Sequence, residues 1–113
     1  MASLPFLFIA ALFTLNPVTV DVYPPFGMAP ASFRIRVMAP RHAANRAICY
    51  GVEGPELKRS CFTLEGAQAQ RIWTVFWELR APGEYEASAT LTRIEDGREK
   101  YYRARRPFQV IGF

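Results

Sequence analysis

Along most of this chain apolar and polar residues alternate with a period of two, the spacing of a strand with one face buried and the other in water. Val18, Val20 and Val22 alternate with Thr19 and Asp21 and predict a first strand. Phe33, Ile35 and Val37 lie on one face of a second strand and Ser32, Arg34 and Arg36 on the other, ending before Pro40. Between them, Tyr23-Pro24-Pro25-Phe26-Gly27-Met28-Ala29-Pro30 is interrupted by prolines and a glycine, which predicts a kinked crossing segment outside any paired ladder. The β-prone runs 46–52 (Ile48, Cys49, Tyr50, Val52) and 60–64 (Cys61, Phe62, Thr63, Leu64) flank Gly54-Pro55-Glu56 and predict a hairpin. In 71–79, Trp73, Val75, Trp77 and Leu79 share one face and Ile72, Thr74 and Phe76 the other. Apolar residues on both faces suggest a strand central in its sheet or covered on both sides. The run from Glu84 to Thr92 alternates without exception, with Tyr85, Ala87, Ala89 and Leu91 on the core side. Asp96-Gly97 then reverses the chain. A last strand starts near Glu99 and closes with Phe108, Val110, Ile111 and Phe113, with Pro107 marking an edge or a change of partner.

Seven strands, frequent turn signals and no convincing amphipathic helix predict an all-β fold of the sandwich type. Two stretches sharpen this. Pro24 to Pro30 followed by the strand Phe33 to Val37 is similar to the opening of many bacterial extracellular modules. Pro82-Gly83-Glu84-Tyr85 resembles the tyrosine corner, in which a tyrosine hydroxyl bonds back to upstream backbone. Both resemble the superfamily of immunoglobulin-like, fibronectin type III-like and PKD-like β-sandwiches. The resemblance implies a single seven-stranded immunoglobulin-like β-sandwich over residues 18–113, with Tyr85 as its structural corner. The residue two after Tyr85 is Ala87, where antibody-type domains carry a cysteine, so the resemblance runs to the broader bacterial group. It implies nothing about function, because one sandwich hosts many unrelated roles.

Length and composition agree with one domain: 113 residues leave no room for a second, and a chain half hydrophobic can build a packed core. The first 15 residues carry no charge, and Leu4 to Leu15 are apolar except for Pro5 and Thr14. That run is short for a membrane span and matches the apolar region of a signal peptide, so residues 1–17 are expected to be a hydrophobic leader, cleaved or retained as an anchor. A buried first strand or helix is the alternative. The leader implies an exported protein, periplasmic, cell-surface or membrane-anchored, with membrane association through residues 1–17.

The chemistry in the chain is sparse. Cys49 and Cys61 stand at equal distances from Pro55 at the centre of the predicted turn, so they face each other across the hairpin and are expected to form a disulfide. The competing reading is a redox or metal pair, joined by His42, the only histidine, and by Met28 or Met38. Glu53, Glu56, Glu84, Glu86, Glu95, Asp96 and Glu99 fall at turns or on the polar face of strands, where solvation accounts for them and no acid pair of split pKa is expected. Trp73 and Trp77 read as core, or, if exposed, as a carbohydrate platform.

Net charge is +4, from 14 basic and 10 acidic residues. Arg98, Lys100, Arg103, Arg105 and Arg106, interleaved with Tyr101 and Tyr102, either guard an edge strand or bind an acidic ligand. No catalytic residue, cofactor or metal is expected, and the chain does not read as an enzyme. The expectation is a non-catalytic exported binding or structural module of the cell envelope that contacts a protein partner or an acidic surface polymer, with nucleic acid not expected. The alternative is a small periplasmic metal-binding or redox protein using Cys49, Cys61 and His42.

Overall fold

A computed structural model describes residues 16–112, which form eight strands and one 3₁₀ turn. The strands are β1 (Thr19–Tyr23), β2 (Phe26–Met28), β3 (Ala31–Met38), β4 (Asn45–Glu53), β5 (Lys58–Thr63), β6 (Ile72–Leu79), β7 (Gly83–Glu95) and β8 (Arg98–Ile111), with the turn Gly66–Gln68 between β5 and β6. They build two sheets, a three-stranded one in the order β1-β3-β6 and a five-stranded one in the order β2-β8-β7-β4-β5. All pairings are antiparallel except β2 with β8. The expected leader, residues 1–17, lies outside the described residues except for Asn16 and Pro17.

Most of the core consists of apolar positions that the alternation or the β-prone runs picked out. Phe33, Ile35, Val37, Trp73 and Leu79 enter it from the three-stranded sheet, and Ile48, Tyr50, Val52, Tyr85, Ala87, Ala89, Leu91, Phe108 and Val110 from the five-stranded sheet. Each fully buried large aliphatic or aromatic side chain contributes about 1.5–3 kcal/mol of burial. Phe108 bridges the layers, its ring 5.0 Å from Phe33 and 5.4 Å from Tyr85. One polar pair lies among these side chains: Arg93 Nε donates to Asn45 Oδ1 at 2.8 Å, and Asn45 Nδ2 donates to the Pro40 carbonyl oxygen at 3.0 Å. The Arg93 guanidinium also rests over the Tyr102 ring, 5.4 Å from its centre.

Two sequence expectations give way. The described residues form eight strands rather than seven, because the proline-rich crossing contains β2, paired in parallel with Gln109 to Ile111. The prolines bracket this three-residue strand and leave its own amides free, and the ladder extends through the Ala29 amide to the Ile111 carbonyl oxygen at 2.7 Å. β2 meets β8 just past Pro107, so that proline marks where the last strand gains a second neighbour. The other correction concerns β6, which pairs only with β3 among the described residues and is an edge strand. Its outer face is uncovered, with Phe76 68% exposed, so apolar residues on both faces did not mean burial on both. Its inner residues Trp73 and Trp77 turn toward the core, Trp73 buried and Trp77 half-buried 6.1 Å from the Tyr50 ring, which removes the carbohydrate-platform reading.

Candidate functional site

Period two divides the basic cluster of β8 between the two faces of its sheet. The register pairs Leu91 with Tyr102, Ala89 with Ala104 and Ala87 with Arg106, so the even-numbered residues follow the core side of β7. There they serve the fold. Arg106 reaches Asp21 of β1 at 3.4 Å, Lys100 lies 3.7 Å from Glu95, and the Tyr102 hydroxyl donates to Glu95 Oε1 at 3.1 Å. Arg98 begins the strand at the hairpin end, opposite Glu95. Tyr101, Arg103 and Arg105 alternate onto the outer face, where the Tyr101 hydroxyl bonds to Glu99.

On that outer face the register assembles two rows that cross four strands. Arg103, Thr90, Cys49 and Cys61 form one, and Arg105, Ser88, Gly51 and Arg59 form the next. Glu86 and Glu53 begin a third. Large basic side chains therefore stand on β8 and β5 while glycine and hydroxyl residues occupy the strands between, leaving a trough of about 440 Å³. Gly51 gives it depth. A Cβ at that position would run into the Lys58 carbonyl oxygen, so only glycine lets β5 lean over the sheet and form a wall. The Cys49–Cys61 disulfide, with Cα atoms 4.1 Å apart, ties that wall to β4. A structural disulfide belongs to an oxidising, extracytoplasmic environment.

The charge in the trough is unevenly balanced. Arg105 Nε lies 3.8 Å from Glu86, whereas among the described residues no carboxylate lies within 4.0 Å of the Arg59 or Arg103 guanidinium. Cationic side chains without carboxylate partners among the described residues, next to small polar residues, are suited to holding an anion.

The remaining sequence candidates sit elsewhere. His42 lies in the turn before β4, where its Nδ1 accepts a hydrogen bond from the Ala44 amide at 2.9 Å. From Asn45 to Cys49 the strand then advances about 13 Å, so the histidine and the disulfide are not brought together. Among the described residues no cluster of three or more His, Cys, Asp or Glu could hold a metal ion.

Four carboxylates expected to be merely solvated have partners: Glu86, Glu95 and Glu99, above, and Glu56. Glu56 Oε2 accepts from the Arg80 amide at 2.6 Å, the Ala81 amide at 3.1 Å and the Tyr85 hydroxyl at 3.3 Å. The two amide bonds hold its carboxyl below the usual range. The single Tyr85 hydroxyl proton is shared between Glu56 and the closer Ala81 carbonyl oxygen at 2.7 Å, and burial raises its pKa. Glu56 thus fastens the β4–β5 loop to the β6–β7 turn.

Sequence reading missed Arg59, Ser88, Thr90 and Gly51 as site residues. A glycine inside an apolar strand was the available signal, since it marks a close approach of backbone.

No family model matches the chain, and no curated protein matches it. Solved structures do. The sulfur carrier protein SoxY from Chlorobium limicola f thiosulfatophilum is 16% identical, with 98% of this chain and 99% of that one covered and a TM-score of 0.64. A superoxide reductase (neelaredoxin) from Ignicoccus hospitalis is 19% identical over 83% of this chain and 80% of its own, with a TM-score of 0.57. A CARDB domain from Pyrococcus furiosus, solved with di-metal ions, is 14% identical over 88% and 99% of the two chains, with a TM-score of 0.54. At these identities the likeness is one of fold: a small all-β domain.

Proposed function

We propose that this chain is a non-catalytic, exported binding module of immunoglobulin-like type, and that it meets an acidic partner through the outer face of its five-stranded sheet. The observation that carries the reading is the pair of arginine walls on β8 and β5, with Arg59 and Arg103 free of carboxylate partners among the described residues. The order β1-β3-β6 against β2-β8-β7-β4-β5, with the hydroxyl of Tyr85 bonded to Ala81, supports the immunoglobulin-like assignment. The disulfide and the apolar run Leu4 to Leu15 support export to the periplasm or cell surface.

Retention on an immobilised polyanion tests the reading. The protein should be retained at low ionic strength and elute as salt screens its arginines. Arg103→Ser with Arg105→Ser should elute much earlier. Arg106→Ser, which removes a side chain engaged with Asp21 on the other side of the sheet, should elute with the parent. Equal elution of all three proteins would refute this use of the outer face.

A further inference from the structure

We propose that the trough is a site for a tetrahedral oxyanion, the sulfate or phosphate group of an ester, held between Arg59 and Arg105 above Ser88. The inference rests on the module reading and deepens it by naming the chemistry recognised.

Geometry supplies the case. Arg105, Ser88, Gly51 and Arg59 are successive cross-strand neighbours, so the two arginine Cα atoms stand three strand spacings apart, about 14 Å. Both side chains line the same cavity from opposite walls. Between them the floor carries only the short hydroxyl of Ser88, because the space above Gly51 is taken by the Lys58 carbonyl of the leaning β5 wall. Thr90 and Arg103 add a second hydroxyl and a third guanidinium in the adjacent row. One cavity therefore brings together guanidinium donors from both walls and hydroxyl donors from the floor. A carboxylate has two oxygens in one plane and satisfies one guanidinium fork. A tetrahedral anion has oxygens pointing in several directions and can accept from two forks and a hydroxyl together.

Glu86 is the internal competitor, 3.8 Å from Arg105, and Glu53 lies beside it in the next row. Both stand at one end of the trough, and the Arg103 row at the other end carries no carboxylate. The disulfide two residues from Arg59 limits how far that wall can swing away.

The test is titration of the isotopically labelled full chain with sodium sulfate, sodium phosphate and sodium acetate at matched ionic strength, followed by amide and arginine Nε–H resonances. Saturable shifts confined to Gly51, Ser88, Thr90, Arg59 and Arg105 with sulfate or phosphate, and about tenfold weaker with acetate, are expected. Arg59→Ser or Arg105→Ser should each weaken binding about tenfold. Arg59→Lys should restore charge without the fork and recover only part of the loss. Glu86→Gln should tighten binding about threefold by releasing Arg105. Comparing a sulfated oligosaccharide with polyphosphate distinguishes the two sources of the group. Equal response to acetate, or shifts scattered over every basic residue, would overturn the site. If the protein were still retained on the polyanion through Arg103 and Arg105, the module reading would survive that failure. Loss of both would remove both.

Discussion

Replacing Tyr85 with Phe removes one hydroxyl and little else, which makes it a clean measure of how the two ends of the β6–β7 connection are held. The ring is 3% exposed and stacks on Phe108 at 5.4 Å, and Phe preserves both the burial and the stack. What disappears is the 2.7 Å bond to the Ala81 carbonyl oxygen and the longer approach to Glu56. Glu56 keeps its two amide donors, and Ala81 is only half-buried, so water can reach the freed carbonyl. The cost is therefore that of one net hydrogen bond, about 1 kcal/mol, rather than the larger penalty of an orphaned buried group. For a domain of this size that corresponds to a fall in Tm of about 4–8 °C. Urea unfolding should show a lower midpoint at unchanged slope, since the surface exposed on unfolding does not change. An unaltered midpoint would mean that the hydroxyl holds nothing, and the reasoning about the turn would fail with it.

Other outcomes follow from the same structure. Reducing the Cys49–Cys61 bond, or replacing both cysteines with alanine, should destabilise the domain by about 3 kcal/mol in the chain-entropy model, read as the difference between denaturant curves with and without reductant. Asn45→Ala should cost about 2 kcal/mol in urea unfolding, because it strips the Arg93 guanidinium, 8% exposed, of the acceptor it uses in the core. Glu56 gives the fold an acid-side dependence. Its carboxyl titrates lower in the folded state than in the unfolded chain, so its contribution is complete above the ordinary carboxylate range and is lost as pH falls through the folded pKa. Glu56→Gln should flatten that part of the stability profile, measured by thermal unfolding across acidic pH.

Much of the architecture was legible in the residues because period two is a local property. The alternation in Glu84 to Thr92 and in Phe33 to Val37 names the buried face without any knowledge of what covers it. The cysteine pairing was equally local, since two residues equidistant from a hairpin turn must meet if the hairpin forms. Tertiary structure decided which strands are neighbours. Nothing within β6 distinguishes an edge from a centre, because that depends on whether another strand arrives beside it. Nothing in Phe26-Gly27-Met28 marks a strand until β8 offers it a partner. The trough was beyond local reading for the same reason. Arg59 and Arg105 belong to strands joined only through β4 and β7, and their facing across Gly51 and Ser88 is set by three registers at once. Side-chain alternation determines which way a residue points, and strand pairing determines what it points beside.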